Sequence, residues 1–462
     1  MSKNQKATSI TVLRKNAFAI LNMEKDRHIG KSGGFVNNYK DIYHKLLSYK
    51  STLTMPKPKL YFAKVDVKCC FDSINQDLLL NVLIKILKNE NYKLIKYTTV
   101  SKVREKQFIK YEKKAYPADE IPQFPEIANT LAESLRDTVF VDGVTYQTKE
   151  YREVLRFLES HVKQNVIKGE DIYHQYEGIP QGSIISTLLC NFLFNDLEKN
   201  KLGLFSGSDG LLLRWVDDFL YITTEKNKAV QFLDVMCEGH PEYGCFINKE
   251  KSLANFDYDQ VNKCQVEVPW CGLLIHSKTL NVKCDYSNYL HLAIRHQITI
   301  EFSQNQSLAL RQRLTNWLRQ NCHEVFMSVK LNSVYTARLN LYQIFLMAAL
   351  RFREYVEELA SNKVEMSHIF LANLIRDAFL HMNQLITLED LFASAWERQV
   401  SWLGLHAFRR VFMARNNRRF KYLIEDLAKF MILLNLGGTL ERTLCSVTDL
   451  NNSLVFKQLL RL

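Results

Sequence analysis

Three aspartates stand at the ends of apolar segments, where a carboxylate does not contribute to packing. Asp66 follows the apolar run that begins at Leu60, and Asp217 and Asp218 interrupt the apolar run of residues 211–223. Burying unpaired carboxylates costs several kcal/mol, so these groups need a strong partner. Oxygen ligands suit a hard ion such as Mg²⁺, and two ions about 3.5 to 4 Å apart can hold the attacking and leaving oxygens of a phosphoryl transfer. The pattern therefore predicts a two-metal site.

A second motif lies between these acidic segments. Residues 177–190 have the sequence EGIPQGSIISTLLC, a proline-glycine loop that opens a helix. Gly182 lets a backbone approach a substrate closely, and Gln181 and Ser183 place neutral donors near a helix N-terminus, which favours phosphate. An Asp-Asp pair alone is common in ordinary turns. In this chain order, however, the carboxylate strand, the loop with its helix and the carboxylate hairpin resemble the palm of a reverse transcriptase.

The closer resemblance is to the telomerase reverse transcriptases, and it covers nearly the whole chain. The family's motifs match in order: motif A with residues 60–74, motif B′ with 178–189, motif C with 211–220, motif D with 244–256, and the primer grip, motif E, with 268–275. The helical tail resembles the family's thumb at residues 330–333 and 350–352. The segment from Arg14 to Tyr49 resembles only the end of the fingers.

This resemblance implies RNA-templated addition of deoxynucleotides to chromosome DNA 3′ ends. Asp66, Asp217 and Asp218 would hold two Mg²⁺ ions and form the catalytic centre. Lys251 falls where the family supplies a lysine that protonates the pyrophosphate leaving group, a role that requires a positioned acid. Lys249 could substitute for it, and a solvated surface lysine is the alternative for Lys251.

The resemblance also implies binding roles. Nucleotide contacts would come from Val67, Phe71, Gln181 and Gly182, and primer or duplex contacts from Trp270, Cys271, Gly272, Lys330 and Asn332. Phe71 would lie under the sugar and reject a 2′-hydroxyl, unless its ring only fills the corner between strand and helix. Trp270 is equally well explained as a core residue. The basic residues 409–421 could contact phosphates or form a solvated helix face.

The elements that must position these residues predict an α+β fold. The resemblance implies a right-hand polymerase palm, an antiparallel sheet with helices, joined to partial fingers and an all-helical thumb. The expected division is partial fingers at 1–59, palm with motif A at 60–95, an insertion packed on the fingers at 96–170, palm with motifs B′ to E at 171–285, and thumb at 286–462. Within it we expect helices at 37–49, 182–199 and 226–237, hairpins at 211–223 and 270–282, and a short strand at 245–248.

Charge and composition limit the partners. Lys and Arg number 61 against 49 acidic residues, a net charge of +12, which favours nucleic acid phosphates or an anionic surface. Residues 286–462 hold 16 Arg and 5 Lys against 14 acidic residues. No apolar run approaches the roughly 18 residues that span a bilayer, so we expect a soluble, intracellular protein with no membrane partner. The ten cysteines include no CxxC pair, and we expect reduced thiols.

The family implies template RNA, telomeric single-stranded DNA, an RNA–DNA hybrid and deoxynucleoside triphosphates as partners, and the nucleus, at chromosome ends, as location. Two alternatives stay open at this point: a Penelope-like or other retroelement reverse transcriptase, and a truncated, non-catalytic isoform that binds nucleic acid. The chain lacks the family's RNA-binding domain and the basic finger motifs before motif A. We therefore expect it to bind a hybrid duplex by itself but to extend it weakly or not at all.

Overall fold

The computed structural model describes most of the chain and divides it into two units. It covers residues 9–29, 33–54, 58–87, 91–103, 106–120, 122–132, 138–168, 171–205, 207, 209–264, 266–380, 382, 393–414 and 418–460. Unit 1 joins residues 1–36 to residues 60–263, and unit 2 joins residues 37–59 to residues 264–462. The predicted partial fingers, residues 1–59, are thus shared between the two units.

The described strands, in chain order, are β1 Tyr61–Asp66, β2 Asn91–Val103, β3 Lys106–Pro117, β4 Thr138–Glu150, β5 Val166–Lys168, β6 Ile172–His174, β7 Gly210–Trp215, β8 Asp218–Thr223, β9 Leu253–Ala254, β10 Asn262–Lys263, β11 Glu267–Trp270, β12 Leu273–His276 and β13 Val282–Cys284. Except for the short β11 to β13, all of them belong to unit 1. Unit 1 therefore has the mixed α and β composition expected of a palm.

The described helices, in chain order, are α1 Ile10–His28, α2 Tyr39–Thr52, α3 Cys70–Ser73, α4 Gln76–Ile86, α5 Phe124–Ala132, α6 Tyr151–Lys163, α7 Ser186–Lys201, α8 Lys226–Glu238, α9 Gln306–Asn321, α10 Glu324–Met327, α11 Val334–Ser361, α12 His368–Leu380, α13 Ala393–Met413, α14 Lys421–Leu433, α15 Gly438–Val447 and α16 Leu454–Leu459. Among the described residues, no helix combines the length and apolar character needed to cross a bilayer.

The sheet that carries the aspartates lies at the centre of unit 1. Its strand order is β10-β9-β1-β8-β7, with β1 antiparallel to both β8 and β9. Phe62 and Val65 of β1 and Phe219 and Ile222 of β8 are fully buried, as expected for central strands rich in aromatic and branched residues. The helix α8 packs against β1 and β8. The helix α7 is buried around almost its whole surface, which is typical of a core helix.

The insertion predicted at 96–170 contains a second, separate sheet. Strands β2, β3 and β4 pair antiparallel in the order β3-β2-β4, with a β-bulge between Lys96 and Tyr97 of the central strand. Strands β2 and β3 pack against α1, and Tyr92, Leu94 and Ala115 of these strands are buried. The insertion thus begins at β2, a few residues earlier than the sequence indicated, and it is largely β-structure.

Unit 2 combines a small sheet with helices. Strands β11, β12 and β13 form an antiparallel sheet, and after Cys284 the described residues contain helices and turns but no strand, which confirms the helical prediction for this tail. The longest helix, α11, has 28 residues, most of them buried, and α13 packs against it. The segment with α2 belongs to this unit, where α2 packs against α10.

Several local expectations need correction. The helix expected from residue 182 begins only at Ser186, and turns precede it at residues 181–182 and 184–185. The short strand expected at 245–248 is absent from the described secondary structure, since Cys245 and Ile247 each form only an isolated bridge. The hairpin expected at 270–282 is instead three strands, with its tight turn directly after Trp270.

Candidate active site

The three aspartates occupy one end of two neighbouring strands. Asp66 is the last residue of β1 and Asp218 the first of β8, and their Cα atoms are direct partners in the antiparallel register. Asp217 lies with Val216 in the two-residue turn that joins β7 to β8. Val216 has φ 59°, a left-handed conformation of the kind that tight hairpin turns require. The structure therefore brings Asp66 beside Asp218 and places Asp217 next to them.

The electrostatics at this sheet end are known best for Asp217. Burial raises the pKa of Asp217 to about 6, and the negative charges of Asp218 and Asp66 add to the increase. A hydrogen bond from its own backbone N–H and the positive charge of Arg214 lower the pKa of Asp217, but they do not offset the burial. A cation bound here would stabilise the ionised form, because it replaces repulsion by attraction.

The donor set fits a hard divalent cation. All three side chains offer carboxylate oxygens, the ligands that Mg²⁺ prefers, and their mutual repulsion favours cation binding. In the described part of the chain, no three His, Cys, Asp or Glu side chains stand close enough to enclose a metal ion. Ligation by Asp66, Asp217 and Asp218 would therefore require their side chains to converge on the ion, and it stays a prediction.

The corner after β1 is tied to the loop of motif B′. The Phe71 carbonyl accepts a hydrogen bond from the Ile179 N–H at 2.7 Å, and the Ile74 carbonyl accepts one from the Gly178 N–H at 3.0 Å. Gly178 has φ +72°, and a Cβ there would lie 2.4 Å from the Phe71 carbonyl oxygen. Only glycine permits this close approach. The Phe71 ring is half-buried and packs against the unit 1 core, so both of its proposed roles stay open.

The remaining nucleotide candidates differ in exposure. Gln181 is exposed, and its Nε2 donates to Asp72 Oδ1 at 2.9 Å. Gly182 has φ +80° and no atom within 4 Å of the position a Cβ would take, so space for a ligand is open there. Val67 is buried, which leaves its backbone rather than its side chain for any nucleotide contact.

The motif D segment is connected to the end of β1. The Asn248 N–H donates to the Asp66 carbonyl at 2.7 Å, and the Asp66 N–H donates to Ser252 Oγ at 3.3 Å. Lys251 lies between these two anchors and is exposed. Lys249 donates from its Nζ to Gln260 Oε1 at 2.7 Å. Because the Lys249 ammonium has this partner, Lys251 is the better candidate for a proton donor.

The predicted primer grip lies in unit 2. Trp270 is 1% exposed, which fits an anchoring role in the core. Cys271 and Gly272 follow with φ 48° and 76°, the two positive values of a tight type I′ hairpin turn. The Tyr39 hydroxyl of α2 donates to the Cys271 carbonyl at 3.4 Å. Tyr39, a residue that sequence reasoning did not single out, thus holds the backbone of this turn.

The predicted thumb contacts have two different environments. Lys330 is exposed. Asn332 is buried, its Oδ1 accepts from the Val282 N–H at 2.7 Å, and its Nδ2 donates to the Val325 carbonyl at 2.9 Å. Both ends of the Asn332 amide are therefore used inside the protein, so the structure supports a positioning role for it rather than direct duplex contact.

The basic residues 409–421 do not form one surface. Arg410 turns inward and donates to the Tyr342 hydroxyl at 2.8 Å and to the Thr448 carbonyl. Arg418 and Arg419 are exposed, and Arg415 lies outside the described residues. The inward direction of Arg410 could not be read from a run of charges, because helix facing depends on the packing partners.

Sequence reasoning missed two buried charges beside the aspartates. Arg214 of β7 and Glu198 of α7 are 0% and 2% exposed, and they form an ion pair. The available signal was an arginine within the apolar strand LLLRW, where a charge must find a partner inside the protein. Its partner could not be deduced, since Glu198 lies in a different element.

Strands β1, β8 and β7 pair antiparallel with carboxylates at adjacent strand ends, and the glycine loop and core helix α7 lie between β1 and β7 in the chain; this is the arrangement of a right-hand polymerase palm. A family model described as "Reverse transcriptase (RNA-dependent DNA polymerase)" matches residues 144–275. The protein is therefore of the reverse transcriptase class. A second model, "Telomerase reverse transcriptase, C-terminal extension", matches residues 308–428. The chain belongs to the telomerase reverse transcriptase family.

The similar curated proteins agree with this assignment. The chain is 32% identical to the telomerase reverse transcriptase of Rattus norvegicus over 394 residues, which cover 81% of this chain and 35% of that protein. It is 28% identical to the Arabidopsis thaliana protein over 465 residues, covering 91% of this chain and 41% of that protein. The chain thus spans well under half the length of these relatives. The match to the telomerase extension does not favour a retroelement reverse transcriptase.

Among solved structures, the fold is similar to that of telomerase from Candida albicans in complex with a TWJ fragment of telomeric RNA. The TM-score is 0.62 at 16% sequence identity, and the match covers 90% of this chain and 58% of that one. At this identity the likeness concerns the fold alone. It supports the prediction of a right-hand fold with antiparallel sheets and helices.

Proposed function

We propose that this chain is the catalytic part of a telomerase reverse transcriptase, which adds deoxynucleotides to a DNA 3′ end along an RNA template. The observation that carries the proposal is the pairing of Asp66 with Asp218 across β1 and β8, with Asp217 in the adjoining turn. Carboxylates close together at one sheet end repel one another, and a bound cation would relieve that repulsion. Phosphoryl transfer with metal ions is the chemistry that uses such a group.

Asp66, Asp217 and Asp218 would hold two Mg²⁺ ions. Such ions supply charge stabilisation for the attacking 3′-hydroxyl oxygen and the leaving pyrophosphate oxygen. Lys251 would donate a proton to that pyrophosphate oxygen, for which its exposed position beside the end of β1 is suitable. Divalent metal use is general in the reverse transcriptase family.

The residues of the loop and corner would position the nucleotide. Gln181 is exposed and sits beside the open space at Gly182, which would admit a sugar and phosphate group. Phe71 would present its ring to the 2′ position of that sugar and exclude a hydroxyl there. In unit 2, the turn at Cys271 and Gly272 would hold the primer backbone, and Lys330 would contact a duplex phosphate.

The partners follow from this function. They are the template RNA, telomeric single-stranded DNA, the RNA–DNA hybrid and deoxynucleoside triphosphates, and the working place is the chromosome end in the nucleus. The net charge of +12 is suited to such polyanions. The solved relative from Candida albicans is bound to a fragment of telomeric RNA, which agrees with an RNA partner for this chain.

The test is single-nucleotide addition to a DNA primer paired with an RNA template, measured with enzyme in excess of primer. We expect Asp217→Asn and Asp66→Asn to lower addition by at least about 1000-fold while hybrid affinity changes only a few fold. The control is Asp257→Asn, which alters an exposed carboxylate paired with Lys263 and should leave addition unchanged. Addition by Asp217→Asn at the rate of the unmodified protein would contradict the proposal.

A further inference from the structure

Arg214 occupies an unusual position for a charged residue. It lies three residues before Asp217 in a strand of the central sheet and is 0% exposed. Its Nε pairs with Glu198 Oε1 of α7, which is 2% exposed. A fully buried ion pair is expensive to desolvate, and apolar side chains of similar size would often be at least as stable. Stability alone therefore does not explain why the strand contains an arginine.

The second half of the guanidinium reaches the turn that carries Asp217. Arg214 Nη1 donates to the Val216 carbonyl at 2.9 Å and to Asn191 Oδ1 at 2.8 Å. Val216 is a β-branched residue with φ 59°, a conformation that costs about 1–3 kcal/mol and persists only where the surroundings impose it. The hydrogen bond to its carbonyl holds the peptide that joins Val216 to Asp217, and so it fixes the direction in which Asp217 leaves the turn.

The far side of the ion pair is held by the glycines before α2. Glu198 Oε2 accepts from the Gly34 N–H at 2.7 Å, and the Gly34 carbonyl accepts from the Arg214 N–H at 2.7 Å. Gly33 has φ +84°, and a Cβ there would lie 2.5 Å from Glu198 Oε2. Glycine at this position therefore lets the backbone close around the carboxylate, which leaves Glu198 little freedom to move.

Aromatic rings enclose the guanidinium on its remaining sides. The rings of Phe35, Phe194 and Phe219 have their centroids 5.4, 6.0 and 5.9 Å from the Arg214 Cζ atom. Rings at this distance attract a cation and exclude water. The planar fork of arginine donates to Glu198 from Nε and to both Asn191 and Val216 from Nη1, a set of directions that a lysine could not reproduce.

We propose that Arg214 is a positioning residue for the catalytic carboxylates: held by Glu198 and Asn191, it fixes the Val216 to Asp217 peptide so that the Asp217 carboxylate stands with Asp66 and Asp218. The inference rests on the proposed function, because it assumes that these carboxylates bind the catalytic cations. It assigns Arg214 no contact with substrate. Loss of Arg214 should therefore weaken cation binding at the aspartates, beyond any general loss of folded protein.

Cation binding can be measured without catalysis. Tb³⁺ replaces hard divalent ions at carboxylate sites and emits when a tryptophan close to it is excited. Trp215 precedes the turn directly and is the cross-strand partner of Asp218, so it is placed to excite an ion at the site. The probe is Tb³⁺ alone, titrated into the full chain without nucleic acid, followed by displacement with Mg²⁺. Loss of the signal in Asp217→Asn identifies the part that comes from this site.

We expect Arg214→Lys and Arg214→Met to raise the half-saturating Tb³⁺ and Mg²⁺ concentrations by about tenfold or more, and the Mg²⁺ concentration needed for nucleotide addition by a similar factor. The milder variant Glu198→Gln keeps the shape of the Glu198 side chain. It should raise the half-saturating cation concentrations and the Mg²⁺ requirement of nucleotide addition by about threefold. It serves as the test if the arginine variants do not fold. The control Glu24→Gln changes another buried carboxylate of unit 1, bonded to Tyr92, and should lower thermal stability without changing cation affinity.

The outcomes separate the two proposals. Unchanged half-saturating concentrations in folded Arg214 and Glu198 variants, with only stability reduced, would overturn the positioning role and leave the proposed function intact. If the unmodified protein gives no Tb³⁺ signal that depends on Asp217, the carboxylates do not bind cations as proposed, and both proposals fall. If Glu24→Gln raises the half-saturating Tb³⁺ and Mg²⁺ concentrations as much as the Arg214 variants do, then Arg214 serves folding alone.

Discussion

At the scale of single residues, Asp217 has a raised pKa, and the charges of the neighbouring carboxylates add to the increase. Asp217 has a pKa near 6 because it is partly buried beside Asp218 and Asp66. The Arg214 charge acts against this shift but is already engaged with Glu198. Ionisation of Asp217 is therefore unfavourable in the protein without a cation, and a bound cation would favour it.

The raised pKa of Asp217 predicts that the stability of the protein depends on pH. Because the folded pKa of Asp217 lies above its unfolded value of about 3.8, the folded state holds the proton more tightly, and stability falls as pH rises from about 4 to about 6. Asp217→Asn removes this dependence, so the variant should gain about 1–2 kcal/mol relative to the unmodified protein between pH 4 and pH 7, after allowance for solvent screening. Urea unfolding of both proteins at the two pH values measures it.

The control for this prediction is the exposed carboxylate Asp257, whose pKa is lowered by its bond to Lys263. Asp257→Asn should show no gain at neutral pH. Mg²⁺ should stabilise the unmodified protein and not Asp217→Asn, because a ligand that binds only the folded state adds stability. Equal stability differences at both pH values would mean that Asp217 ionises freely.

Phe71 offers a test of sugar selection at the residue scale. If its ring excludes a 2′-hydroxyl, Phe71→Val should raise the use of ribonucleotides relative to deoxynucleotides by about tenfold or more, because the discrimination is a steric clash. Phe71→Tyr keeps the ring and should keep the preference. The measurement is kcat/KM for each nucleotide. A lower thermal stability with an unchanged ratio would identify Phe71 as a core residue only.

At the scale of elements, backbone hydrogen bonds join the segments around the three aspartates. The loop before α7 is hydrogen-bonded to the corner around α3, and the motif D segment is hydrogen-bonded to the end of β1. Glycines with positive φ stand at the closest approaches. Gly244 has φ +69°, and a Cβ there would lie 1.6 Å from the Ser73 carbonyl oxygen. These contacts let four separate chain segments meet at one sheet end.

Gly244→Ala should therefore be strongly destabilising. The left-handed conformation and the overlap with the Ser73 backbone together should cost about 2–5 kcal/mol. The matched control is Gly203→Ala, whose Cβ would meet no atom within 4 Å and whose φ lies outside the left-handed range, so it should change stability by less than about 1 kcal/mol. Chemical denaturation gives both values. Similar stabilities for the two variants would show that the backbone around Ser73 can shift to admit the Cβ without loss of stability.

At the scale of the whole molecule, charge determines which partners the protein attracts. The chain carries +12, and the helical tail of unit 2 prefers arginine. Part of this charge is used internally, as with Arg353, which donates from Nη1 to the Val411 carbonyl at 2.8 Å, and with Arg410. Lys330 and Arg418, by contrast, are exposed to solvent. Net charge therefore overstates the surface available to nucleic acid.

Hybrid binding should depend steeply on salt and little on sequence. A surface that contacts about four phosphates would lose roughly 100-fold in affinity between 50 and 200 mM salt. Lys330→Gln should reduce the slope of log affinity against log salt by about one, equally for different duplex sequences, whereas Lys429→Gln, which alters a lysine paired with Asp426, should not. Fluorescence anisotropy with two unrelated hybrid sequences tests this. A strong preference for one sequence would contradict backbone recognition.

Local sequence patterns predicted most of the elements around the three aspartates. A strand ending in Asp66, a glycine loop with its helix and a hairpin at Asp217 and Asp218 are local patterns, because strand alternation, turn residues and apolar periodicity depend on neighbours along the chain. The helical character of the tail followed from the same kind of signal. The role of the three carboxylates as metal ligands stays a prediction from their residue type and order along the chain.

Which distant residues meet depends on the tertiary structure. The pairing of Asp66 with Asp218, the burial of Arg214 against Glu198, the inward use of the Asn332 amide, and the grouping of α2 with the C-terminal helices all join segments far apart in sequence. Such contacts are selected by packing and by the need to satisfy buried polar groups, which depend on the whole set of neighbours. A linear sequence states what each residue can offer, and the folded core determines which partner accepts it.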